Sequence, residues 1–147
     1  FLLSKGADVN LEDSYGDAPI NRGVSYPSVL AVLIAHGCDL EHKDSEGSYP
    51  LHNAVQAGCA ESVQLLLEKG VRPDLVGEGM GYTALHEAAM IDRVDVTKVL
   101  IEGGASLDVR SKRGDTVLHV ACKAGSKAVI SELLTRGADP SITNDRG

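Results

Sequence analysis

The sequence predicts an all-α repeat solenoid, a stack of small helical units with no single large core. Three observations carry this. The tetrapeptide Tyr49-Pro50-Leu51-His52 recurs as Thr83-Ala84-Leu85-His86 and Thr116-Val117-Leu118-His119, with the histidines 34 and 33 residues apart. Independently, a Leu-rich stretch closes on Gly37, Gly70, Gly104 and Gly137, at steps of 33, 34 and 33. Two markers in one register identify a repeat. Third, the 147 residues are 43% hydrophobic but only 3% aromatic, with no Trp and one Phe. Thin layers of Leu, Val, Ile and Ala can close on such a composition, whereas a compact core usually needs larger anchors.

Taken in order, the periodicity divides the chain into the tail of a preceding repeat (1–12), a short degenerate repeat (13–43), three regular repeats (44–77, 78–110, 111–143) and the start of a following one (144–147). The chain therefore reads as part of a longer array. The last full repeat shows the logic of each unit. Thr116 is placed to cap a short helix running through Ala124, and Gly125 stops it. A second helix, Lys127 to Thr135, carries Val129, Ile130, Leu133 and Leu134 on one face and ends at Gly137. Turn-forming residues follow from Asp139 to Asn144. One such unit cannot bury its apolar face alone, so Leu118, Ala121, Ile130 and Leu133 need neighbours on the stack.

The segments GSYPLHNAV, GYTALHEAA and GDTVLHVAC resemble the ankyrin-repeat signature G-x-T-P-L-H-x-A-A. KGADVN, GGASLD and RGADPS resemble its closing G-A-D-V-N. The resemblance covers nearly the whole chain and implies paired antiparallel helices, joined by β-hairpin-like loops into a curved stack.

The first full unit departs most. It reads GDAPINRGV, with Ala18 for Thr, Asn21 for His and Gly23 for Ala, and Gly16 to Gly37 spans 21 residues where Gly114 to Gly137 spans 23. Tyr26-Pro27 is placed to open its second helix. A glycine inside a helix costs roughly 1 kcal/mol relative to alanine, so this unit is expected to be distorted and the loosest. In the third unit Asp92 replaces the glycine between the helices, where a left-handed turn tolerates Asp better than most residues. The loop before it, Gly77-Glu78-Gly79-Met80-Gly81, gains one residue.

Catalytic and cofactor chemistry find no support. His52, His86 and His119 fall one layer apart, on the order of 10 Å, too far to share a metal ion. Each ring is expected to bridge backbone groups of its own and the adjacent loop. His86-Glu87-x-x-Met90 lacks the second ligand of the zinc-protease helix. Glycines 77, 79 and 81 have neither the Lys-Ser/Thr of a phosphate loop nor dinucleotide spacing. No nucleophile stands in a local catalytic signature. Cys38, Cys59 and Cys122 are too few for a disulfide framework and read as buried free thiols, which points to cytoplasm or nucleus. Twenty-one acidic residues against 14 basic ones give a formal charge of −7, unlike a surface for nucleic acid or anionic membrane. No apolar run approaches the roughly 18 residues of a membrane span, and no signal peptide is evident.

The reading is therefore a non-enzymatic, monomeric interaction module with no cofactor or metal. In proteins that resemble this one, partners contact the concave side, built from hairpin tips and first helices. The corresponding residues are Tyr15 and Asp17 in the first unit, Glu46, Ser48 and Gln56 in the second, Met80, Tyr82, Met90 and Ile91 in the third, and Lys112, Arg113 and Lys123 in the fourth. Met80, Tyr82, Met90 and Ile91 form a candidate apolar patch. In the competing reading Ile91 folds back on the next repeat and leaves Met90 alone exposed. Lys112, Arg113 and Lys123 flank one side, and Asp17 and Glu46 the other. A protein or extended peptide with one apolar anchor and acidic residues toward the basic end would fit. The alternative is a targeting or regulatory segment of a larger enzyme, channel or ubiquitin-ligase adaptor.

Overall fold

A computed structural model describes residues 6–147, so residues 1–5 of the expected 1–12 tail lie outside the described residues. Eight helices follow: α1 (Pro19–Gly23), α2 (Pro27–Ala35), α3 (Pro50–Gln56), α4 (Ala60–Glu68), α5 (Ala84–Met90), α6 (Val94–Glu102), α7 (Val117–Ala124) and α8 (Lys127–Thr135). The odd-numbered helices pack side by side in one layer and the even-numbered ones in a second, each pair joined by a short turn. None of the helices is long and apolar enough to cross a membrane.

The core runs continuously between the two layers. Ile20, Leu51 and Leu85 on first helices, and Leu30, Leu66, Leu100 and Leu133 on second helices, are all fully buried. Each contributes roughly 2 kcal/mol of apolar burial, and because they lie between units the stack is held by its interfaces. Leu134, expected on the buried face of α8, is 47% exposed. Ile130, Leu133 and Val129 already cover the contact with α6 and α7, and the residue after Leu133 turns outward by helix geometry.

Local chemistry fixes the helix ends. Gly125 closes α7 at φ 77°, and Asp92 takes the same left-handed conformation at φ 52°. Asp92 also works across the interface, since its Oδ1 accepts from the Val129 N–H, 3.3 Å away in the first turn of α8. The loops are hairpin-like without forming strands, and one isolated antiparallel bridge, Val76 with Thr83, marks the third among the described residues. The inserted residue is absorbed there: Gly77 N–H donates to Tyr82 O at 2.9 Å, six residues wide where the other hairpins are five.

The first unit is distorted as expected, with α1 only 5 residues long. Its glycine has a different cause. A Cβ on Gly23 would stand 2.6 Å from Leu33 Cδ1 and 3.5 Å from Val29 Cγ1. The missing two residues draw α2 against α1, and only glycine leaves room. Tyr26 is extended (φ −128°, ψ 100°), as the residue before a proline must be, and Pro27 opens α2.

Candidate binding surface

The surface is built on a repeating polar scaffold. Asp13, Asp44 and Ser111 start three of the hairpins, and each side-chain oxygen accepts two backbone N–H groups of its own loop at 2.8–3.2 Å. The next layer of order is histidine. His86 Nδ1 lies 3.2 Å from the Thr83 amide and 2.8 Å from its hydroxyl, and Nε2 lies 3.2 Å from Asp115 O in the following loop. The amide N–H can only donate, so Nδ1 accepts and Nε2–H donates outward, in the neutral ring. Burial pushes the His86 and His52 pKa values down, against the pull of the carbonyls they face.

His52 makes only the outward half, donating to Tyr82 O at 3.1 Å. Tyr49 supplies no hydroxyl at the cap, and buried Nδ1 has no partner. The Tyr49 ring instead stacks on His52 with centroids 5.8 Å apart. Asn21 reproduces the complete bridge without a ring: Oδ1 accepts from Ala18 N–H at 2.9 Å, and Nδ2 donates to His42 O at 3.0 Å. The expected bridging therefore holds in full at His86 and is preserved by the departure at Asn21, whereas His52 keeps only the outward half and His119 only the inward one, its Nδ1 3.2 Å from the Thr116 amide.

On this scaffold Met90 (49%) and Ile91 (40%) are both exposed, so Ile91 does not fold back. Tyr82 is not an open part of that patch. Its ring stacks on His86 at 5.2 Å with an interplanar angle of 6°, and it packs on the core. Met80 is partly buried, and its carbonyl accepts from Lys112 N–H at 3.0 Å. The apolar surface is thus narrower than the four expected residues.

Asp17 is engaged internally: Oδ2 pairs with Arg22 at 3.2 Å, and Oδ1 accepts from Ser45 N–H at 2.9 Å. Tyr15 and Glu46 are exposed, and Ser48 is partly buried within its hairpin. Gln56 is exposed and reaches across the α3–α5 interface to donate to Glu87 Oε2 at 3.2 Å. Glu87 was no candidate from the sequence, yet burial lifts its carboxyl to about 7, with Asp44 pushing the same way and the Gln56 hydrogen bond opposing.

At the other end Arg113 and Lys123 are brought together with a third cation, Arg146. These three, with Asp115, His119 and Asn144, line a polar cavity of about 100 Å³. Asp115 is tied down by Asn144 Nδ2 at 2.6 Å. Arg113, Lys123 and Arg146 form no ion pair among the described residues. Lys112 lies apart, its stem against Gly81 of the preceding hairpin. Of the thiols, only Cys38 is buried. Cys59 is intermediate and Cys122, in the last turn of α7, is exposed, contrary to the expectation of three buried thiols.

Residues 71–144 match the family described as ankyrin repeats (3 copies), and residues 33–88 that described as ankyrin repeats (many copies). The chain is similar to the B-cell lymphoma 3 protein homolog of Mus musculus, 31% identical over 97% of this chain and 33% of that protein. It is 30% identical to the nuclear factor NF-kappa-B p105 subunit of Gallus gallus, over 97% of this chain and 15% of the relative. A transient receptor potential cation channel subfamily A member 1 homolog of Caenorhabditis elegans is 30% identical over 93% of this chain and 12% of its own length. The chain spans a third or less of each of these relatives.

Proposed function

The chain belongs to the ankyrin-repeat family, and from that premise we propose that it is a protein-binding module whose groove takes an extended segment with one apolar anchor and acidic residues beside it. The observation that carries this is the pairing of two surfaces. Met90 and Ile91 are exposed apolar side chains at the end of α5, and the next unit offers Arg113, Lys123 and Arg146 around a cavity of about 100 Å³, the scale of a carboxylate group. Apolar side chains of this kind are favoured at interfaces, and unpaired cations select and orient an acidic partner.

Charge supports the polarity. Residues 109–147 hold seven Lys/Arg against four Asp/Glu, while residues 1–108 hold seven against seventeen. An acidic segment is attracted to one end of the stack and repelled from the rest. The role in this reading is non-enzymatic, with both ring nitrogens of His86 engaged by Thr83 and Asp115 O and His52 donating to Tyr82 O. A reducing compartment, cytoplasm or nucleus, fits three cysteines that form no disulfide. A second reading, a targeting or regulatory repeat segment of a larger enzyme, channel or ubiquitin-ligase adaptor, draws support from the similarity to a cation channel homolog.

The test is selection of displayed peptides on the isolated chain, followed by affinity measurements on the best binder. Met90→Ala/Ile91→Ala is expected to weaken binding at least tenfold and Lys123→Ala about threefold to tenfold. Unchanged affinity in both variants overturns the groove assignment.

A further inference from the structure

The second helices carry a gap of their own, on the opposite side from the groove. The residue before each closing glycine is His36, Lys69, Gly103 and Arg136 in turn. At the α6–α8 interface Arg136 fills this place: Nε donates to Glu132 Oε1 at 2.8 Å, and Nη2 to Glu102 Oε1 at 3.3 Å. One guanidinium thereby ties two helices together.

At the α4–α6 interface the same place is Gly103, with no side chain to reach back. An open cleft of about 320 Å³ results, lined by Gln64, Leu67, Glu68, Val99, Glu102 and Gly103. Leu67 leans over the vacated position, since a Cβ on Gly103 would stand 2.5 Å from Leu67 Cδ1. Glu68 is where Glu102 is one unit later. It accepts only from Gln64 Nε2 at 2.9 Å and has no cation in ion-pair range among the described residues.

The cleft is therefore lined by Leu67 and Val99 together with two carboxylates, Glu68, which has no cation, and Glu102, whose Oε1 already accepts from Arg136. A long apolar stem ending in a cation satisfies both features at once. A guanidinium does so better than an ammonium, because its planar fork can take the Glu68 carboxylate through two parallel hydrogen bonds while its stem lies along Leu67 and Val99.

We propose that the α4–α6 cleft receives an arginine side chain of a protein partner, supplied in trans at the position where α8 supplies Arg136. The partner segment that enters it is basic, in contrast to the acidic segment fitted to the groove, and the two surfaces bind independently.

The probe is N-acetyl-arginine methylamide, titrated into the chain and followed by the methyl NMR signals of Leu67 and Val99. Saturable shifts at these methyls are expected, weakened at least fivefold with the isosteric, uncharged citrulline derivative and at least threefold by Glu68→Gln. Gly103→Arg is expected to fill the cleft from within and abolish the response. Gly103 has φ −78°, outside the left-handed region, but the new Cβ has to displace the end of Leu67, 2.5 Å away and only partly buried, so unchanged signals away from Leu67 verify the fold. No response at Leu67 and Val99, an equal response to citrulline, or a response retained in Gly103→Arg overturns the proposal. So does a concentration-dependent shift of these methyls without added ligand, which would assign the cleft to a second copy of the chain. Each outcome leaves the groove reading standing.

Discussion

The Glu87 carboxyl is pushed up to about 7 by desolvation at the α3–α5 interface, where the residue is half-buried, with Asp44 raising it further. The folded state therefore binds the extra proton between the ordinary carboxylate value and about 7, and wild-type stability falls as pH rises through that window. Glu87→Gln removes this penalty. It is expected to be near neutral below pH 4.5 and stabilising by up to roughly 3 kcal/mol at pH 8, measured by urea unfolding. His52 and His86 act with the opposite sign. Their lowered pKa values leave the unfolded chain holding more protons below about 6.5, so their contribution is complete above that pH and is lost as pH falls. The variant should accordingly show stability rising to a plateau. A gain at pH 8 no larger than at pH 4.5 would refute the account of Glu87. The histidine bridge was legible in the sequence because its spacing repeats. Glu87 was not, since its shift arises from packing against the neighbouring unit, which also supplies Gln56 and Asp44, and a glutamate after histidine has no periodic signature of its own.

For the elements, helix existence and register followed from local signals that tertiary contacts left intact. Thr116, Gly125, Pro27 and Asp92 all stand where their backbone chemistry puts them. The sequence misjudged Gly23 because helix propensity treats a residue alone. Gly23→Ala would regain about 1 kcal/mol of propensity, but it would press a methyl into Leu33, which is 7% exposed and enclosed. Overpacking costs roughly 1–3 kcal/mol, so the packing term dominates. The substitution is expected to lower stability by about 1 kcal/mol net and to lower the melting temperature. A melting temperature equal to or above wild type would show that α2 is not held against α1 as described. The patch was legible at Met90 and Ile91 and overdrawn at Tyr82, because a stacked ring on His86 requires the neighbouring loop geometry to foresee.

At the scale of the whole molecule the net charge of −7 conceals its arrangement, with the excess of acid confined to residues 1–108. Composition argues against nucleic acid and anionic membrane, while Lys112, Arg113 and Lys123 already suggest an acidic segment, and the gathering of Arg113 and Lys123 with Arg146 around one cavity supports that segment as the fitting ligand. Affinity for an acidic displayed peptide is expected to fall between 50 and 300 mM NaCl. The slope should flatten in Arg113→Gln/Lys123→Gln, and an unchanged slope would remove these cations from the interface. The histidine bridges give the stack a direction as well. His86 reaches Asp115 O, His52 reaches Tyr82 O and Asn21 reaches His42 O, always toward the later loop. A unit emerging from the ribosome thus has its polar groups completed only when about thirty more residues have followed. The growing chain trails an unfinished layer behind its newest helix, and assembly advances one step late, like masonry whose each course is locked by the one laid above it.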